Sequence, residues 1–109
     1  MTTNQEAIDI LDELYQSLDD AYWASSDPKD RDLIRGISSS IYKEISALNK
    51  LEIENRSKEY EVLTFDVVRV NKKLEKLKKE IDDIIEKVDL AADVVKSIGK
   101  ALGFIGKFI

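Results

Sequence analysis

The chain has no cysteine and no histidine, one proline (Pro28) and four glycines (Gly36, Gly99, Gly103 and Gly106) in 109 residues. Without cysteine it can form neither disulfides nor thiolate metal sites, and redox chemistry gives no clue to its compartment. Without histidine it lacks imidazole bases, Ser-His-Asp triads and Glu-x-x-His di-iron sites. No catalytic residue, metal ligand set, cofactor or small-molecule substrate is therefore expected. So few helix breakers leave little turn chemistry for hairpins or a β-sandwich. No uncharged apolar run reaches the roughly 18 residues needed to span a bilayer, and the start, Met1-Thr-Thr-Asn-Gln-Glu, lacks the basic-then-apolar pattern of a secretory signal. A cytoplasmic protein is the expectation.

What is present is 43% hydrophobic and 36% charged residues with only 7% aromatics, the balance of long helices with wet outer faces. Net charge is −5 and uneven. Residues 1–50 carry ten acids against five bases, residues 51–109 twelve of each, and residues 94–109 three lysines and no acid. An acidic body with a small cationic tail argues against a nucleic-acid partner.

Periodicity assigns the class as all-α. Ala7, Leu11, Leu14, Leu18 and Ala21, widened by Ile8, Tyr15 and Tyr22, place one apolar stripe on a helix from about Thr3 to Ala24. Asp27 is a good N-cap and Pro28 suits the first position of a second helix, predicted from 28 to about 55, with Ile34, Ile37, Ile41, Ile45, Leu48 and Leu51 on its apolar face. Gly36 and the run Ser38-Ser39-Ser40 suggest close approach of a neighbouring backbone there. Between Leu51 and Leu63 the heptad phase slips, and a turn is expected between 54 and 65, where Asn55, Ser57 and Thr64 can cap. The β-branched stretch Val62 to Val70 has no second strand to pair with.

From Leu63 the four-three alternation runs unbroken through Val67, Val70, Leu74, Leu77, Ile81, Ile84, Val88, Ala91, Val95, Ile98, Leu102, Ile105 and Ile109. So sustained a repeat predicts a coiled-coil helix from about 60 to 109. The expected architecture is a single-domain, three-helix antiparallel coiled-coil bundle with a long C-terminal heptad helix, or one that folds back near Gly99 as a fourth helix. At about 1.5 Å per residue the third helix would reach some 75 Å, against roughly 33 and 40 Å for the first two, which leaves its last third uncovered.

That uncovered part directs attention to residues 94–109. On a helix, Lys96, Lys100 and Lys107 share one narrow face, while Val94, Val95, Ile98, Leu102, Phe104, Ile105, Phe108 and Ile109 spread over the opposite half. The segment is similar in form to cationic amphipathic peptides of membrane interfaces, and also to a bundle helix with snorkelling lysines. Gly99, Gly103 and Gly106, with Ala92 a heptad before, form a seam of small residues beside it. The tail either folds back, packs on other protomers, or meets a membrane or partner. The leading functional expectation is a non-catalytic interaction protein that self-associates as a homo-oligomer or docks a protein partner through the heptad helix. The rival is a membrane-active protein of small pore-former type that uses residues 94–109.

Other constellations have ordinary explanations. Asp27, Asp30 and Asp32 resemble a calcium loop loosely but lack its central glycine and terminal glutamate, and capping explains them. Asp82, Asp83, Glu86 and Asp89 read as the charged flank of a coiled coil. The basic run Lys72 to Glu80 is interrupted by Glu75 and has no stacking aromatic, so a solvated face is expected. Tyr22 and Trp23 either close the end of their own core or anchor a partner.

Overall fold

The computed structural model describes residues 2–109. Within them lie four α-helices: α1 (Asn4–Ala24), α2 (Pro28–Asn49), α3 (Val67–Ile84) and α4 (Val88–Ile105), with short 3₁₀ turns at Ile53–Ser57 and Gly106–Phe108. The all-α class is as expected. The helices pack as a four-helix bundle in which α1 contacts α2 and α4, and α3 contacts α2 and α4.

The ends of α1 and α2 follow local chemistry. Thr3 and Glu6 form a capping box: the Thr3 hydroxyl accepts from the Glu6 amide, and the Glu6 carboxylate accepts from the Thr3 amide. Asp27 caps α2 by accepting from the Lys29 amide at 2.8 Å, with Pro28 in the first turn. The stripes predicted for these helices are the buried ones, since Ala7, Leu11, Leu14, Leu18, Ala21, Ile34, Ile37, Ile41 and Leu48 are all sealed from solvent.

The second helix stops at Asn49, short of the expected 55, and the next starts at Val67 rather than about 60. The connection is long because it has its own anchors. Thr3 and Glu59 form an isolated antiparallel bridge, the Asn4 amide donates to Lys58 O, and the Asn4 side chain donates to Asn55 O at 2.7 Å. Asp66 then caps α3 by accepting from the Arg69 amide.

The single helix expected from 60 to 109 is two helices. The break falls at Ile85-Glu86-Lys87, not near Gly99, and contains neither glycine nor proline. Ile84 and Ile85 are both buried. Consecutive residues on a helix point about 100° apart, so burying both is easiest if the chain leaves the helix between them, and Ile85 is indeed extended (φ −112°, ψ 116°), a conformation that suits a β-branched residue. Folding back buries Val94, Ile98, Phe104 and Ile105, worth roughly 1.5–3 kcal/mol each. The interrupted helix forfeits a few backbone hydrogen bonds at about 1 kcal/mol net each, so burial wins. The longest dimension is 43 Å, far below the 75 Å rod.

The heptad frame rotates across this break. On α4 the buried stripe is Ala91, Val94, Ile98, Ala101 and Ile105, with Phe104 beside it. Val88, Val95, Leu102 and Ile109, seam members in the unbroken frame, are exposed or half-buried, as is Leu63 at the other end. Gly36 and Gly99 do not admit helix backbones: the nearest atoms to an added Cβ would be the amines of Lys73 (3.7 Å) and Lys78 (3.6 Å), both from α3.

Candidate functional site

The eleven tail candidates separate into three environments. Val94, Ile98, Phe104 and Ile105 are core residues of the chain's own bundle. Val95, Leu102 and Phe108 are half-buried against that core. Lys96, Lys100, Lys107 and Ile109 face outward. Phe104 stacks on Tyr60 (centroids 5.5 Å apart, 26° between planes) and Phe108 meets the same ring edge-on at 5.1 Å, so the tail closes the end of the bundle where the α2–α3 connection crosses. Lys100 pairs with Glu13 of α1 at 3.0 Å, an exposed pair worth well under 1 kcal/mol. The lysine face and the apolar half are both present as the sequence implied, but the apolar half points inward.

Glu44, which the sequence analysis did not single out, is the most completely engaged polar group. Fully buried, its carboxylate accepts from Tyr60 Oη (2.8 Å), the Leu63 amide (2.8 Å), the Thr64 amide (2.6 Å) and Thr64 Oγ1 (2.7 Å). Four donors converging on one carboxylate compensate the cost of burying its charge. Every donor lies in the α2–α3 connection, so Glu44 anchors residues 60–64.

The other sequence candidates, Tyr22 and Trp23, sit at the opposite end, on the last turn of α1. Trp23 is 70% exposed. It does not close the core, which Leu18 and Ala21 do. Tyr22 holds it edge-on, with centroids 5.3 Å apart and planes at 89°. The Tyr22 ring is itself covered by the guanidinium groups of Arg35 (4.6 Å from the centroid) and Arg31 (5.2 Å), and Arg31 Nε donates to Ser25 O at 2.6 Å. The turn after α1 thus accepts a hydrogen bond from Arg31, Arg31 and Arg35 cover Tyr22, and Tyr22 touches the indole.

Trp23 borders two clefts. One, of about 340 Å³, runs between α1 and α2, with Leu18 and Ile34 at its floor, Tyr15, Tyr22 and Tyr42 on its walls, and Arg35, Ser38, Ser39 and Asp19 at its rim. Tyr15 and Tyr42 meet edge-on across it at 5.6 Å. The second, of about 720 Å³, lies between the end of α1 and the α3–α4 turn, lined by Asp20, Trp23, Ala24, Ser26, Asp83, Ile84, Ile85, Glu86, Lys87 and Leu90. The sequence placed Tyr22 and Trp23 at a helix end, but the residues that meet Trp23 from the α3–α4 turn became its neighbours only when the third helix broke.

This end of the molecule is acidic. Partial burial and the charges of Asp27, Glu80 and Asp83 raise the Asp30 carboxyl above its usual range, against the opposing pull of Lys76. Among the described residues no group of three or more side chains is arranged to hold a metal ion, and no helix is long and apolar enough to cross a membrane.

No protein-family model, curated protein or solved structure matches this chain.

Proposed function

We propose that this chain is a non-catalytic helical interaction protein that docks a protein partner at the Trp23 end of the bundle. The observation that carries the reading is the 70% exposure of Trp23, which meets Tyr22 edge-on and is bordered by two clefts. A large aromatic left in water offers association a wide flat area with only two side-chain torsions to fix, and such residues dominate binding energies. The heptad seams, first in line as docking surfaces on sequence grounds, are spent inside the chain, which moves the reading from the long helix to the Trp23 end of the bundle. Burial of Val94, Ile98, Phe104 and Ile105 also favours a protein partner over a membrane, since most of the large apolar side chains of the segment are turned into the bundle and away from a bilayer.

The test is photocrosslinking from Ser26→p-benzoylphenylalanine, in the cleft beside the indole, in lysate of the native host. A discrete crosslinked protein is expected with Trp23 intact and should be lost with Trp23→Ala, whose melting temperature should match the wild type. A pattern indifferent to Trp23 would refute the reading. Co-flotation with anionic vesicles, abolished by replacing Lys96, Lys100 and Lys107 with Glu, would put a membrane in the partner's place.

A further inference from the structure

The chain supplies cations to one aromatic ring at this end and none to the other. Arg31 and Arg35 both lie over Tyr22, while among the described residues no cation lies over Trp23, although its ring is the more exposed and the stronger cation–π acceptor. The larger cleft begins at that ring. Its rim carries Asp20, Asp83 and Glu86 against a single base, Lys87, and its floor is apolar, with Ile84, Ile85 and half-buried Leu90. None of the three carboxylates is within salt-bridge distance of a cation or accepts a side-chain hydrogen bond among the described residues, where the one ion pair is Lys100 with Glu13. Asp83 also adds, after burial and the charges of Asp27 and Glu80, to the surroundings that raise the Asp30 carboxyl against the pull of Lys76.

An apolar floor under unpaired carboxylates, beside an uncovered indole, matches a long aliphatic stem with a cationic head. We infer that the Trp23 end receives a lysine- or arginine-bearing segment of a partner protein, one cationic side chain lying over the Trp23 indole and others among the carboxylates of Asp20, Asp83 and Glu86. The inference rests on the docking reading above and names the partner's chemistry. The indole offers cation–π attraction and flat contact area, the cleft accepts the stem, and the carboxylates select against acidic partners and draw basic ones in at long range. Arg31 and Arg35 lie over the neighbouring Tyr22 ring and repel a second cation there, so the segment enters through the cleft on the α3–α4 side.

The single tryptophan makes the experiment direct, because all indole emission reports on this site. The intact chain is titrated with hexa-arginine amide at low salt, with hexa-glutamate as control, following Trp23 fluorescence. A saturable change is expected with hexa-arginine alone, weakening at least tenfold when salt rises to about 0.15 M, where screening shortens to about 8 Å. The combined variant Asp20→Asn, Asp83→Asn, Glu86→Gln should weaken binding at least tenfold. Removing the same charge at the far end with Glu52→Gln, Glu54→Gln, Glu61→Gln should weaken it no more than about twofold. Equal weakening by both triple variants would overturn the inference, since general attraction to an acidic chain would then suffice. So would a flat titration. A dimeric mass that reverts to monomer in the first triple variant alone would overturn it in favour of a second copy, whose α3 lysines would be the cation source. A flat titration with the Ser26 crosslink intact removes the basic partner and leaves docking standing, whereas site-specific hexa-arginine binding with no crosslink overturns the docking reading and, with it, the inference of a partner segment.

Discussion

Tyr60 donates its phenolic proton to Glu44 at 2.8 Å, joining the α2–α3 connection to the middle of α2, and the same ring carries Phe104 of α4 on its face. One side chain therefore ties the buried carboxylate to the C-terminal segment, and through it three parts of the chain far apart in sequence depend on one another. Replacing Glu44 by Gln keeps the volume but turns an amide NH₂ toward donors. At least one of Tyr60 Oη, the Leu63 amide and the Thr64 amide is then left unsatisfied, at about 1–3 kcal/mol for each such group. Denaturant unfolding at neutral pH should show a loss of about 2–4 kcal/mol for Glu44→Gln, and a loss below 1 kcal/mol would mean that water reaches this carboxylate.

The same pair sets an alkaline limit. Burial, then the hydrogen bond to Glu44 and the negative charge of that carboxylate, push the Tyr60 phenol far above its ordinary value. The fold thus favours the neutral phenol, while the unfolded chain titrates near pH 10. This contribution is complete below about pH 10 and declines as pH rises above it. Melting temperature should fall more steeply between about pH 10 and 11.5 in the wild type than in Tyr60→Phe, although Tyr60→Phe starts lower at pH 7. Parallel curves would contradict this assignment.

The rotated frame on α4 separates neighbouring residues that a simple repeat treats alike. Val94 is buried and Val95 only half-buried, and Phe104 is buried against Tyr60. Phe104→Ala should cost about 3–5 kcal/mol. Val94→Ala should cost clearly more than Val95→Ala. On α3 the frame is unrotated, and Ile81→Ala should cost about 2–5 kcal/mol. Chemical denaturation of the four variants gives the order directly, and Val95→Ala as the costlier valine change would restore the unbroken seam.

Removing α4 by truncation after Asp93 strips Ile98, Ala101, Phe104 and Ile105 from contact with α1, α3 and Tyr60. The shortened chain should lose its cooperative melting transition. By contrast, Lys100→Ala removes only the exposed pair with Glu13 and should change stability by less than about 1 kcal/mol. A truncated chain that melts like the full one would show that α4 is not part of the core.

Much of the fold is legible because helices α1 and α2 carry their instructions locally. The Asp27-Pro28 start and the 3.6-residue stripes need nothing beyond a dozen neighbouring residues, and each is found where the spacing puts it. Glu44 was not legible, since a glutamate inside a helical pattern looks the same whether it faces water or the donors of residues 60–64, which are 16 to 20 positions away. The docking end was half legible: Tyr22 and Trp23 stand out in sequence, while Asp83, Glu86 and Leu90 come to Trp23 only through the turn at Ile85.

That turn marks the division between what the sequence alone determined and what tertiary structure decided. Composition and periodicity determined that the chain is helical, which stripes of α1, α2 and α3 are apolar, and that residues 94–109 need a surface to cover them. They could not choose between two heptad frames on α4, since both pass through Ala91, Ile98 and Ile105, one adding Val94, Ala101 and Phe104 and the other Val88, Val95, Leu102 and Ile109. Nor could they place a break in a stretch with no glycine or proline. The choice fell to packing: a continuous rod leaves its apolar end in water, a folded-back helix buries it against α1 and α3, and the several kcal/mol between those states outweigh the few hydrogen bonds lost at Ile85.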